Sequence, residues 1–168
     1  MRTYKLERKQ KLKSTITEVW DFFSNPENLD LLTPDDMGFE ITSPLPLARM
    51  YRGQRIEYKV SPILNIPLKW VTEITEVEDN YAFVDEQRKG PYKYWRHKHI
   101  FEDMRDHVIM YDRLEYALPF GVLGTLAHKL YVQKRLTEIF DYRYDKVENL
   151  FNKKRLKGTD DLPKSIAV

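Results

Sequence analysis

Apolar and polar residues alternate from the start of the chain. Over residues 3–12, Tyr4, Leu6 and Leu12 fall on one face and Lys5, Glu7, Lys9 and Lys11 on the other. A period of two predicts a half-exposed strand. Thr15-Ile16-Thr17-Glu18 has the spacing of a capping box, and Val19, Trp20, Phe22 and Phe23 follow it. These predict a short helix to about Ser24. Pro26 starts a second short helix through Leu29, Leu31 and Leu32, which Thr33-Pro34-Asp35-Asp36 ends.

The period then returns to two. Phe39 and Ile41 mark a short strand, and residues 53–60 another, with Ile56, Tyr58 and Val60 on one face. In residues 67–77, Leu68, Trp70, Thr72 and Ile74 point inward, and Lys69, Glu73 and Thr75 outward. Asp79-Asn80 suits a two-residue hairpin turn, since both residues tolerate positive φ. Residues 81–88 place Tyr81, Phe83, Asp85 and Gln87 on one face, and Gly90-Pro91 marks the next turn. Residues 94–102 set Trp95, His97, His99 and Phe101 against Arg96, Lys98 and Glu102. Residues 107–117 set Val108, Met110, Asp112, Leu114 and Tyr116 against Arg113 and Glu115. Consecutive hairpins of this kind make an antiparallel meander.

A long helix is predicted over about 124–151. Its apolar stripe is read as Leu126, Leu130, Leu136, Phe140, Tyr144, Val147 and Phe151. One such stripe suits a helix lying across the concave side of a sheet. The fold class is therefore α+β: a curved antiparallel sheet of six to seven strands wrapped around a long C-terminal helix, with two short helices after the first strand. The gap between sheet and helix is a natural cavity.

The 168 residues suit one domain, read as residues 1–152, with 153–168 as a basic helix end and tail. With no cysteine, disulfide scaffolds, thiol chemistry and cysteine-ligated metal sites are excluded. The 28 basic and 26 acidic residues are interleaved and leave a net charge of +2. The basic cluster Lys153, Lys154, Arg155 and Lys157 reads as a solvated helix end, so no nucleic-acid partner is expected. No apolar run approaches the ~20 residues that span a bilayer. Met1 to Glu7 lacks a hydrophobic signal region, and a cytoplasmic location is expected.

The element order resembles the SRPBCC superfamily, which includes START lipid-transfer domains, birch-pollen-allergen-like proteins and polyketide cyclase/dehydrase proteins. The resemblance covers about residues 3–151. Two stretches are similar to one bacterial branch. The first is Phe83-Val84-Asp85 through Gly90-Pro91-Tyr92, with Trp95, His97, His99 and Phe101. The second is Tyr116-Ala117-Leu118-Pro119-Phe120-Gly121, with Gly124, Ala127-His128 and Ile139-Phe140-Asp141-Tyr142-Arg143. The resemblance implies a helix-grip fold that hosts carriers, sensors and enzymes alike. Some members of the branch resemble fusions to sugar-nucleotide epimerase-like domains, which implies an epimerase-like protein as a possible partner.

Polar residues interrupt the face meant for the core. A three-residue loop at Gly90-Pro91-Tyr92 pairs Asp85 with His97 and Gln87 with Trp95. A four-residue loop from Asp103 to Asp106 pairs His97 with Asp112 and His99 with Met110. Asp85, His97 and Asp112 would then form one lateral row, since opposed Cβ atoms lie ~5 Å apart. Three readings stand side by side. The row is a satisfied polar network; it recognises polar parts of a ligand; or His97 and His99 with Asp85 or Asp112 hold a metal. The carboxylates can satisfy the imidazoles by hydrogen bonding, so no metal or other cofactor is expected.

The expected ligand contacts are aromatic and polar. Tyr58, Trp70, Phe83, Trp95 and Tyr116 supply the walls. Asp85, Gln87, His97, His99 and Asp112 supply polar contacts, with Gln133 from the helix. Phe120 would plug the end of the cavity, while His107 and His128 read as surface residues. The leading function is non-catalytic binding of a hydrophobic or amphipathic small molecule. The alternatives are a cyclase/dehydratase-type enzyme using His97 with Asp85 or Asp112 as acid–base pair, and an interaction module.

Overall fold

The first and last strands of the chain lie side by side, and this places the C-terminal helix. The computed structural model describes residues 1–62 and 66–153. Strand β1 (Tyr4–Leu12) pairs antiparallel with β7 (Val108–Ala117) along its whole length, from Tyr4 opposite Tyr116 to Leu12 opposite Val108. Between them in the chain come β2 (Glu40–Ile41), β3 (Arg55–Val60), β4 (Leu68–Glu78), β5 (Ala82–Lys89) and β6 (Tyr94–Asp103). The seven strands form one curved antiparallel sheet in the order β1-β7-β6-β5-β4-β3-β2.

Helix α1 (Ile16–Phe23) opens with the expected capping box. Thr15 Oγ1 accepts from Glu18 N, and Glu18 Oε2 accepts from Thr15 N. Its Val19, Trp20, Phe22 and Phe23 are buried. The expected second helix is shorter. It is a 3₁₀ turn at Pro26–Leu29, started by Asn25, whose Oδ1 accepts from Glu27 N. A further 3₁₀ turn, Asp35–Met37, had no counterpart in the pattern.

The C-terminal helical run comprises α2 (Gly121–Ala127), a π turn (His128–Val132), α3 (Gln133–Glu148) and a second π turn (Asn149–Lys153). Gln10 ties it to the sheet from a buried position on β1, donating to Tyr144 O at 3.0 Å and Glu148 Oε2 at 3.1 Å. Asn152 clamps the same edge through Lys13 N and Lys11 O.

The buried stripe differs from the predicted one at its start. Leu136, Phe140, Val147 and Phe151 are buried, but Leu126 and Leu130 are 54% and 73% exposed. Leu130 and Leu136 are six residues apart, which at about 100° per residue sets them on different faces. The π turn then brings Val132 and His128 inward instead. At the strand-to-helix junction Phe120 has φ 68° and is 81% exposed, so it does not plug the cavity. Gly124 allows the junction to close, because a Cβ there would lie 2.1 Å from Pro119 O. Of the basic cluster, Lys154, Arg155 and Lys157 lie outside the described residues, as does the tail from Gly158.

Two aromatic clusters fill the space between sheet and helices. Trp20, Phe22, Phe23, Phe101 and Phe151 centre one. Trp70, Tyr92, Tyr116, Leu136 and Phe140 centre the other. Among the described residues, no helix is long and apolar enough to cross a membrane.

Candidate functional site

A cavity of about 150 Å³ lies between the sheet and α3. This is smaller than the ~300–1,000 Å³ typical of drug-sized ligand sites. The aromatic rings that line the cavity also fill most of the space between the layers. Tyr58, Trp70, Tyr92 and Trp95 form one wall, with successive ring centroids 4.8–6.0 Å apart. Thr72 sits among them. Its hydroxyl oxygen lies 3.0 Å from Tyr58 Oη and accepts from Trp70 Nε1 at 3.1 Å. Phe83 and Phe140 bring the two aromatic clusters to the cavity from opposite sides.

At the meeting of these clusters sit Asp85, His97, His99 and Asp112. The expected pairing of Asp85 with His97 is observed. The next register is displaced by two residues: Asp112 lies opposite His99, and Leu114 opposite His97. The turn spans residues 104–107, because Asp103 still pairs with Val108. A shift of two keeps every side chain on its face. Asp112 therefore stays inside, diagonal to His97. Each imidazole lies between both carboxylates. His97 Nδ1 is 3.5 Å from Asp85 Oδ2, and His97 Nε2 is 3.4 Å from Asp112 Oδ1. His99 Nε2 is 3.3 Å from Asp85 Oδ2, and His99 Nδ1 is 2.6 Å from Asp112 Oδ1. Phe83 stacks on His99 with centroids 4.2 Å apart. Arg143 of α3 approaches from the helix side, its Nη1 3.8 Å from Asp112 Oδ2.

Burial sets the electrostatics. It opposes ionisation of Asp112, but the charge of His99, hydrogen bonding to the imidazoles and the Arg143 guanidinium outweigh it and hold the carboxyl well below the usual carboxylate range. Asp85 is lowered in the same way: burial opposes its charge, and His99, His97 and Arg143 favour it. Burial and then His99 push His97 down, while His99 is raised because Asp112 and Asp85 overcome the cost of burial. One wall of a largely apolar cavity is thus strongly polarised.

Structures of low sequence identity share this architecture. A protein of Thermus thermophilus matches with a TM-score of 0.65 at 16% identity, over 87% of this chain and 95% of its own. Norcoclaurine synthase from Thalictrum flavum, solved in complex with dopamine and hydroxybenzaldehyde, matches at 0.61 and 14%, over 90% of both chains. The major latex-like protein 151 of Panax ginseng matches at 0.64 and 11%, over 89% of this chain and 98% of its own. The chain has the helix-grip, Bet v1-like fold that these structures share. No family model matches the sequence, and no curated protein matches it.

Within this helix-grip fold, Tyr58, Trp70, Phe83, Asp85, Trp95, His97 and His99 line the cavity. Asp112 does not line it; it is buried and reaches both imidazoles from outside the lining. Gln87 turns to the hairpin loop. Its Nε2 donates to Tyr92 O at 2.6 Å and its Oε1 accepts from Tyr92 N at 3.2 Å, so its amide is used there. Tyr116 is withdrawn from the cavity and lies 2.9 Å, Oη to Nε2, from His128. That histidine is not a surface residue: it is buried and stacks on Tyr4 at 3.5 Å. Gln133 is exposed on α3. His107, in the turn just before β7, pairs with Asp106 at 2.7 Å.

Arg143 was the residue that pattern reading missed. The helix's buried run Leu136, Phe140 and Val147 has a gap at position 143, the i+3 place after Phe140. A basic residue in that gap was the available signal.

Proposed function

We propose that the protein binds a small amphipathic molecule of about one aromatic ring, without transforming it, as a carrier or sensor. The observation that carries this reading is a cavity of about 150 Å³ walled by aromatic rings, with Asp85, His97, His99 and Arg143 at one side. An apolar cavity of about this volume is large enough for benzene. This volume favours a single ring over a long fatty acyl chain. The polar side favours a ring that carries a hydroxyl, carboxyl or carbonyl group, because buried polar groups gain most from a partner that satisfies them. The complex of norcoclaurine synthase with dopamine and hydroxybenzaldehyde supports the same size class.

The test is calorimetric titration of chelator-treated protein with benzene, a phenol, a benzoic acid and a long-chain fatty acid. The ring compounds with a polar group should bind at one site, about tenfold or more tightly than benzene, since one charge-assisted hydrogen bond contributes about 1.5–3 kcal/mol. Trp70→Phe with Trp95→Leu should weaken them. Preference for the fatty acid, or no binding of any ring, would refute the reading.

An enzyme remains the second reading. The position of His97 between two carboxylates on the cavity wall favours it. Turnover of a bound ring compound that His97→Gln abolishes would establish it.

A further inference from the structure

Two imidazoles and two carboxylates have a proton-counting problem. Each neutral imidazole carries one N–H and one lone pair. All four ring nitrogens of His97 and His99 face a carboxylate oxygen at 3.5 Å or less. If both rings are neutral, two lone pairs confront two negatively charged oxygens. If one ring is protonated, one such clash remains. Two imidazolium ions would supply a proton to every contact, but burial of both rings at 5% and 3% exposure disfavours that state, and protonating the carboxyls instead would give up the negative charge that Arg143 faces at Asp112. Protons alone therefore leave the cluster in conflict. The expected row set His97 between Asp85 and Asp112, and the structure sets His99 between the same two carboxylates as well.

The two sides of the cluster are not equivalent. On the cavity side, Asp85 Oδ2 lies 3.5 Å from His97 Nδ1 and 3.3 Å from His99 Nε2. The three ligand atoms offered by Asp85, His97 and His99 lie within 4.8 Å of one another. Zinc bonds to nitrogen and oxygen of about 2.0–2.2 Å, set at tetrahedral angles, hold donors about 3.3–3.5 Å apart. On the far side, Asp112 Oδ1 faces the two remaining nitrogens at 3.4 and 2.6 Å. Those three atoms, His97 Nε2, His99 Nδ1 and Asp112 Oδ1, are fully buried without a well-angled hydrogen bond among the described residues. One carboxylate behind two metal-binding histidines is the arrangement that fixes their tautomers and turns the opposite nitrogens toward an ion.

We infer that Asp85 Oδ2, His97 Nδ1 and His99 Nε2 form a binding site for a divalent first-row transition-metal ion, oriented by Asp112 and open to the cavity. The ion removes the conflict. It takes one lone pair from each imidazole and leaves each ring a single N–H on the side of Asp112. Two imidazoles and one carboxylate suit zinc, iron(II) or manganese(II). The three ligands all line the cavity, so the next coordination position faces it. The formal charges of a divalent ion, two carboxylates and Arg143 sum to +1. That position therefore takes a small anionic oxygen donor, such as a ring carboxylate or phenolate. The last step rests on the ligand-binding reading; the metal site does not.

The experiment uses the full chain, without an affinity tag, stripped by a chelator and then titrated with zinc and with cobalt(II) as a spectroscopic probe. One ion per chain should bind, the melting temperature should rise, and cobalt should develop the visible bands of a low-coordinate nitrogen–oxygen site. Addition of benzoate should change those bands. Asp112→Asn should keep the stoichiometry but weaken affinity about 10–100-fold, the usual effect of losing a carboxylate behind a metal-bound histidine. Asp85→Asn and His99→Ala should abolish stoichiometric binding, with far-UV circular dichroism confirming that each variant folds. If either variant is unfolded, the cobalt spectrum of the wild-type protein and its response to Asp112→Asn decide. No binding by folded wild-type protein overturns the inference, as does binding that Asp85→Asn leaves intact or that His107→Ala removes. Because zinc and cobalt binding are measured before any benzoate is added, and the calorimetry of the ligand reading contains no metal, either result can fail alone.

Discussion

Asp112 is the residue on which the buried charges turn. It is 2% exposed, contacts two imidazoles and lies 3.8 Å from the Arg143 guanidinium. Removing one member of a buried charged group strands the others. Asp112→Ala should therefore cost about 3 kcal/mol or more of stability, read by urea denaturation. A loss near zero would mean that water already satisfies Arg143 and the histidines. His128 makes a prediction of opposite character. Burial, and then Arg2, push its pKa below 6.5, and its Nε2 lies 2.9 Å from Tyr116 Oη. The neutral form is thus the one the fold favours. Its contribution is fully present above about pH 6.5 and is lost as pH falls through the lowered folded value. The stability difference between wild type and His128→Gln should shrink as pH falls from 7.5 to 5. A difference that grows on acidification would contradict the assignment. The sequence did not disclose this histidine, because its burial depends on the rotation introduced by the π turn.

At the scale of elements, alternation located the strands because one sheet face is buried and the other solvated. It also found Asp85, His97, His99 and Asp112 on the inner face, although the turn before β7 shifts the register by two. An even slip preserves the face while changing who sits opposite whom. Pattern alone was therefore sufficient for the face and insufficient for the contacts. The hairpin before β6 shows a second kind of blindness. Gln87 shares a face with Asp85, yet loop backbone groups take its amide. Gly90 makes room for that side chain, since a Cβ there would come within 2.3 Å of Gln87 Oε1. Gly90→Ala should displace Gln87 and lower the melting temperature measured by calorimetry, and Gln87→Ala should remove most of that effect. At the other end of the chain, Phe151 packs edge-on against Phe22 at 5.4 Å and stacks with Phe23 at 6.1 Å. Phe151→Ala should cost about 3–5 kcal/mol, as large aromatic truncations in cores do, with denaturant unfolding as the measurement.

For the whole molecule, a seven-stranded sheet and one long helical run enclose an apolar space with one charged side. Sheet and helix followed from periodicity, and the presence of a cavity followed from polar residues where Val, Ile or Leu would pack better. Its size did not follow, because volume depends on how the rings of Tyr58, Trp70, Tyr92 and Trp95 tilt against one another. The contribution of Arg143 also needed the crossing of α3 over the sheet. The most direct measurement of small-molecule binding in this cavity follows the indole N–H signals of Trp20, Trp70 and Trp95 by proton–nitrogen NMR while hydroxybenzaldehyde is titrated into the protein. The Trp70 and Trp95 signals should shift together and saturate at one ligand per chain. Trp20, which packs on Phe83 and Phe101 without lining the cavity, should move little. Trp70 and Trp95 signals that stay fixed up to the solubility limit of the ligand, in a protein that remains folded, would contradict the account.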